Sequence, residues 1–322
     1  MNELTTSTAA PLATTSAAAD LARFEQLVTE HKVPNTRRAY AQDWNAFVAY
    51  CEGAGLNHDT APAVAAWLGH LAFSGTTWAT VARRLAGVRA VYTARGVEDH
   101  TRHQAVRIAL DSARKRLTVA TRNERSPLLV ADIRAMLATI GECPRGRRDR
   151  ALLLLGFAMG ARRSELVALD VADLTFEARG VAVTIRRSKT DQAGAGRVVA
   201  VPMGKDAATC PVRALRAWLT SATITNGPIF RGVDRHGNVA AERLSDKAVA
   251  LVVKDYAARA GLDAERVAGH SLRAGLVTSA ALAGVDVATI QRTTGHASAA
   301  MVKRYTRIAD AWAGGSAAGS LL

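Results

Sequence analysis

Apolar residues return every three or four positions along most of this chain, and strict two-residue alternation is confined to Val181–Arg187 and Arg197–Val201. That contrast limits the fold to packed helices with one small β element. In the first third, Tyr40, Trp44, Phe47, Val48 and Cys51 mark one helix, with Asn35 or Thr36 as its N-cap and Gly53 near its end. Pro62–Leu71 is a second, with Pro62 in the first turn, where no amide donor is needed. Val81, Leu85, Val88 and Tyr92 give a third that stops before Gly96, and Val106, Leu110, Ala113 and Leu117 a fourth. A short helix at Ala19–His31 precedes them, and no strand signal appears in this region.

Thr118–Ser126 is polar, carries Arg122 and Arg125, and is followed by Pro127. It reads as an interdomain linker, either a strap along a polyanion or a plain solvated connection. Beyond it, Ile133, Met136, Leu137 and Ile140 form one helix face ending at Gly141, and a strongly apolar helix covers Arg148–Met159. The two alternating runs flank the polar loop Ser188–Gly196, which makes them a hairpin. Helices resume at Pro211–Ser221, then at one capped by Ser245 whose buried face is Ala248, Leu251, Val252 and Tyr256. Ser271–Ala283, Val287–Thr293 and Ala299–Ile308 follow. The predicted fold class is mainly α with a small β-hairpin or sheet. The predicted organisation is a tail over 1–18, a helical domain over 19–118, a linker over 119–127, a mixed α+β domain over 128–309 and a C-terminal tail over 310–322.

Hydrophobic residues make up 49% of the chain, enough for a core, which excludes wholesale disorder. The formal net charge of +14 points to a polyanionic partner, most simply nucleic acid, the alternative being a merely basic soluble protein. The longest apolar run, Ala151–Ala161, falls short of the roughly 18 residues a membrane span needs. The N-terminus lacks the basic start and apolar core of a secretory signal. Cys51, Cys143 and Cys210 match neither a disulfide framework nor metal-ligand spacing. A reduced, cytoplasmic, nucleoid-associated protein without membrane contact is the expectation.

Four separated segments carry reactive side chains. They are Gly160-Ala161-Arg162-Arg163-Ser164-Glu165-Leu166, Lys189 in the hairpin loop, Gly269-His270-Ser271-Leu272-Arg273, and Gly295-His296 with Tyr305 nine residues later. Each has an ordinary reading by itself: surface arginines, a solvated lysine, a helix start, a turn, a packed tyrosine. Together they are what a metal-free attack on a phosphodiester needs. Guanidinium forks neutralise and orient the non-bridging oxygens, most effectively once transition-state charge collects there. A phenol with a pKa near 10 needs a base or cationic surroundings to attack at neutral pH. A departing 5′-oxygen needs a proton donor, which a loop lysine can supply. His270 and Arg273 lie three apart, on one helix face.

These segments resemble the signature of the tyrosine recombinases, the phage integrase family that includes Xer-type and Cre-like enzymes. The resemblance spans nearly the whole chain: the N-terminal helices are similar to the family's SAM-like core-binding domain, and the chain from about Pro127 onward to its catalytic domain. It implies that Arg162 is the first family arginine, supported by Glu165, and that Lys189 is the general acid for the leaving 5′-oxygen. It further implies proton transfer by His270, a phosphate clamp in Arg273, a phosphoryl hydrogen bond from His296, and Tyr305 as the nucleophile forming a 3′-phosphotyrosine. Ala161 stands where leucine is more usual, a packing change. Ala274 stands where many members carry a second basic residue, and the Ala274-Gly275 pair resembles Cre-like members. Lys205 is a rival to Lys189, but it lies beyond the second strand.

The implied reaction is strand exchange through a four-way (Holliday) junction by a homotetramer on two double-stranded DNA sites, with no cofactor and no metal. The implied roles are integration, excision or resolution. Arg37, Arg38, Arg83, Arg84, Arg114, Lys115 and Arg116 are the candidate DNA contacts of the helical domain, any of which could instead face solvent. The competing readings are a type IB topoisomerase, which usually carries lysine where His270 stands, a non-catalytic repressor and a hairpin-forming telomere resolvase. The short chain ahead of the first helix suggests that a separate arm-binding domain is absent. Asp310–Leu322, with Trp312, Leu321 and Leu322, is either a docking segment for a neighbouring protomer or a plain tail.

Overall fold

The computed structural model describes residues 34–118, 125–188 and 196–303. The expected helix at Ala19–His31, both tails, the docking segment, most of the linker, Lys189 and Tyr305 lie outside the described residues. The chain divides into two compact units, Met1–Arg122 and Asn123–Leu322.

The described part of the first unit is four helices: α1 (Pro34–Ala54), α2 (Ala61–Phe73), α3 (Trp78–Arg95) and α4 (Gln104–Thr118). A single 3-10 turn at His100–Arg102 leads into α4. Asn35 and Thr36 fall inside α1 rather than capping it, because Pro34 already belongs to the helix. Thr60 and Thr77 cap α2 and α3 by accepting from the amides of Ala63 and Thr80, and Gly96 ends α3. Helix α1 packs on α3, and α2 on α4. Phe47, Trp67, Leu68, Val81, Val88, Tyr92 and Val106 fill the space between them. The Tyr92 hydroxyl donates to the His58 carbonyl, and burial raises its pKa well above the ordinary value.

In the second unit the helices are α5 (Val130–Ala138), α6 (Pro144–Met159), α7 (Arg163–Ala168), α8 (Pro211–Ser221), α9 (Asp246–Arg259), α10 (His270–Leu282) and α11 (Val287–Thr294). Residues 299–303 are also helical. The predicted hairpin is present as β2 (Gly180–Ile185) and β3 (Arg197–Pro202), with Val183 opposite Val199. A third strand, β1 (Leu174–Glu177), adds to β2 antiparallel, so the sheet order is β1-β2-β3. A separate two-stranded ribbon pairs β4 (Arg231–Val233) with β5 (Val239–Arg243). Neither β1 nor the ribbon was expected.

Helix α6 is the hub. Leu152, Leu153 and Leu155 are fully buried, and α8 and α10 pack against it. The Ala151–Met159 half is apolar on every side, as suits a helix enclosed by others. The helix begins four residues earlier than expected. Pro144 fits its first turn, and Arg148 and Asp149 go inside as a pair 2.7 Å apart, with the Tyr256 hydroxyl donating to Asp149 at 3.1 Å. The buried face of α9 is Val249, Val253, Tyr256 and Ala257, not the predicted set, and Leu251 is exposed.

Helix α10 is pinned from its side. The Leu128 amide donates to the Ser271 carbonyl at 3.1 Å, and the Ser126 amide to the Arg266 carbonyl at 2.6 Å. Leu128 crosses so closely that a Cβ on Gly275 would lie 1.8 Å from its carbonyl oxygen. Glycine is therefore required at 275 by a backbone approach, and the crossing holds the helix that begins at His270. Among the described residues, no helix is long and apolar enough to cross a membrane.

Candidate active site

Helix α6 terminates at Gly160, and Ala161 returns its amide to the Gly156 carbonyl at 3.1 Å. The chain then crosses one extended residue, Arg162, into α7. Glu165 sits at the third position of that helix and reaches back. Its Oε2 accepts the Arg162 amide at 3.0 Å, and its Oε1 accepts the Arg162 guanidinium at 2.5 Å. One carboxylate, 3% exposed, thus fixes both the backbone and the side chain of Arg162. Arg163 is exposed, and its stem packs over Gly269, immediately before His270.

Arg273, one turn into α10, is 1% exposed. Its Nη1 donates to the carbonyls of Gly160, at 2.7 Å, and Thr294, at 2.5 Å, while its Nε donates to His296 Nε2 at 3.3 Å. These carbonyls are the open ends of α6 and α11, where helix dipoles favour a cation. His296 is 5% exposed, and its Nδ1 lies 2.6 Å from Thr294 Oγ1. Burial pushes its pKa down to about 4, helped by the charges of Arg273, Arg162, His270 and Arg197. The ring is therefore neutral at pH 7. His270 is exposed at the first position of α10.

The structure thus brings Arg162, Glu165, Arg273 and His296 into one network at the ends of α6 and α11, with His270 one turn before Arg273. Val302 packs against Val277 of α10 and Ile290 of α11, three residues before Tyr305 in the sequence. Lys205 lies beyond β3 and is exposed. Among the described residues, no cluster of three or more His, Cys, Asp or Glu side chains is placed to hold a metal.

Two members of the network were not anticipated. Thr294 holds the His296 ring, and Arg197 donates to Glu165 Oε2 at 3.2 Å and to the Thr293 carbonyl at 2.6 Å. The signal for Arg197 was present in the alternation itself. It shares the inward face of β3 with buried Val199 and Val201, and an inward-facing guanidinium requires partners.

The basic side chains of the first unit divide in two. Arg37, Arg38 and Lys115 are exposed on α1 and α4. Arg83 forms an ion pair with buried Asp43, and Arg84 Nε lies 4.0 Å from the same carboxylate. Arg114 sits 5.7 Å from the Trp78 ring centre. Arg116 lies 3.9 Å over Phe73 and donates to the Ala72 carbonyl at 3.2 Å.

Comparison with known proteins places this arrangement in a family. The family model described as "Phage integrase family" matches residues 128–311, and "Phage integrase, N-terminal SAM-like domain" matches 21–95. An "Integrase/recombinase xerD homolog" of Selenomonas ruminantium is 39% identical over 290 residues, covering 88% of this chain and 84% of the relative. "Tyrosine recombinase XerC" of Mycobacterium sp. (strain KMS) is 31% identical over 288 residues, covering 85% and 88%. Among solved structures, a lambda integrase dimer bound to a COC′ core site shares the fold with a TM-score of 0.60 at 17% identity, covering 89% of this chain and 75% of that one. XerH recombinase in a post-cleavage complex with palindromic difH substrate gives 0.55 at 21% identity, covering 77% and 67%.

Proposed function

Because the chain belongs to the phage integrase family, whose members are tyrosine recombinases, we propose that the network at the ends of α6 and α11 holds the scissile phosphate of a DNA site while Tyr305 attacks it. The chain is a site-specific DNA recombinase, an enzyme that cuts and rejoins DNA strands. The relatives named above are recombinases, which leaves the relaxing-enzyme and repressor readings without support.

The observation that carries the assignment of residues is the double anchoring of the two arginines. Arg162 is fixed by Glu165, and Arg273 by two helix-end carbonyls and His296. Guanidiniums set in advance need no reorganisation when charge builds on the non-bridging oxygens. Tyr305 forms the oxygen–phosphorus bond, its phenolic proton leaves by way of His270, and the bond to the 5′-oxygen breaks as Lys189 protonates it. The product is a 3′-phosphotyrosine and a free 5′-hydroxyl. A 5′-hydroxyl of the partner duplex then attacks the link, releases Tyr305 and restores a phosphodiester. One bond forms as one breaks in each step, so no external energy source is consumed.

Two such exchanges through a Holliday junction require four protomers, and we assign the chain as a homotetramer on two sites, acting on DNA in the cytoplasm. Residues 19–118 are assigned as the core-binding domain, 119–127 as linker and 128–309 as the catalytic domain. On the core-binding domain we assign Arg37, Arg38 and Lys115 as exposed phosphate contacts, with Arg83, Arg84, Arg114 and Arg116, also held within the unit, as further ones, consistent with the net charge of +14.

Incubation with a nicked candidate site tests this reading. A protein–DNA adduct that survives denaturation is expected from the parent chain and none from Tyr305→Phe. An adduct that persists in the variant overturns the assignment.

A further inference from the structure

We infer that Arg197 is a positioning residue for cleavage, the strut that keeps Arg162 and His296 in mutual register. This rests on the phosphate-holding role proposed above for Arg162. Arg197 is the first residue of β3, its side chain is 18% exposed, and it bridges two of the segments that carry the reactive groups. Its Nη2 donates to Glu165 Oε2, the same oxygen that receives the Arg162 amide. Its Nη1 donates to the Thr293 carbonyl in the last turn of α11, three residues before His296. Between those two bonds the guanidinium passes close to Gly295. A Cβ there would stand 2.6 Å from Arg197 Nε, and the backbone at 295 has φ +65°, so glycine is demanded twice.

This geometry gives Arg197 a task distinct from that of the two phosphate arginines. Its two Nη groups face inward to a carboxylate and a carbonyl, and its Nε is buried with no hydrogen-bond partner among the described residues. With both Nη groups taken by protein acceptors, the guanidinium is a stiff brace, since its planar fork loses little freedom per bond formed. It also lies on the strand that directly follows the loop of Lys189, so the same side chain ties the base of that hairpin to Glu165 and to α11. Loss of the brace removes one of the two guanidiniums that Glu165 holds among the described residues and one of the tethers on the Thr293–His296 turn, and misplacement of catalytic groups by an ångström is costly.

The test is a double-mutant cycle on the full chain, read as single-turnover cleavage of a nicked site at saturating protein. Arg197→Met is expected to slow cleavage by about tenfold or more while the site dissociation constant moves by less than about twofold. Combined with Glu165→Gln, the loss is expected to fall well short of the product of the two single losses, because Arg197 acts through that carboxylate. Histidine NMR is expected to show a higher His296 pKa in Arg197→Met, since a nearby cation is gone. Losses that multiply, or weaker DNA binding with an unchanged saturated rate, overturn the inference. If Arg197→Met does not fold, Arg197→Lys takes its place in the cycle and is expected to cleave at a rate between parent and Glu165→Gln. Failure of the parent to form any adduct would instead count against the recombinase chemistry itself.

Discussion

Arg273 donates its Nε–H to Nε2 of His296, and this contact decides which nitrogen of the ring carries the proton. The Thr294 hydroxyl donates to the Ile290 carbonyl at 2.7 Å, so its oxygen receives the remaining ring proton from Nδ1. The pattern assigns a neutral, Nδ1-protonated imidazole whose other nitrogen supports a buried guanidinium. The phosphoryl hydrogen bond that family resemblance implies for this residue therefore requires Nε2 to leave Arg273 or to exchange tautomer on binding DNA.

Acid should expose this arrangement. The unfolded His296 has an ordinary pKa near 6.5. In the fold, burial and then the neighbouring cations hold it near 4. The unfolded chain thus binds more protons between those values, and stability falls as pH drops from about 6.5 to about 4, by up to about 3 kcal/mol. Urea denaturation at pH 7 and pH 5 should show a smaller drop in His296→Gln than in the parent; equal drops would contradict the assignment.

Glu165→Gln removes the carboxylate that pairs with both Arg162 and Arg197. Breaking a buried ion pair typically costs about 3–5 kcal/mol. The variant is expected to lose stability on that scale and to cleave at least tenfold more slowly, because Arg162 loses its side-chain anchor. Thermal denaturation and single-turnover cleavage check the two parts separately.

Gly275→Ala should be among the most damaging small changes, since its Cβ would meet the Leu128 carbonyl. A loss of about 2 kcal/mol or more is expected. Gly69→Ala in α2 meets nothing within 4 Å and should be neutral or stabilising by up to about 1 kcal/mol. Melting temperatures of the two variants give the comparison.

The first unit offers a test by salt. Arg38→Ala removes a cation exposed on α1 and should reduce the slope of log affinity against log salt by about 1. Arg84→Ala removes a partner of Asp43 and should lower stability as well. Filter binding across a salt series, with melting curves alongside, separates the two.

Where local chemistry decides the structure, the sequence was readable. Pro62, Ser245 and Gly96 mark helix ends, and Val181–Ile185 with Arg197–Val201 mark the hairpin. Leu174–Glu177 escaped because its side chains are mostly exposed, and without a buried face it shows no alternation. Strand β4, at Arg231–Val233, is too short to have a period. In α9 two faces both satisfy helical spacing, and only packing selects Val249 and Val253 over Ala248 and Leu251. The site was legible as residue types in four segments. Arg197 was legible only as an inward-facing charge on alternating β3; its task was not, because it comes from meeting Glu165 and Thr293, remote in sequence.

The most direct measurement is the identity of the residue joined to DNA. Protease digestion of the adduct from a nicked site, followed by mass spectrometry, should find a nucleotide linked through its 3′-phosphate to Tyr305. A link to any other side chain, or through a 5′-phosphate, would contradict the proposed attack.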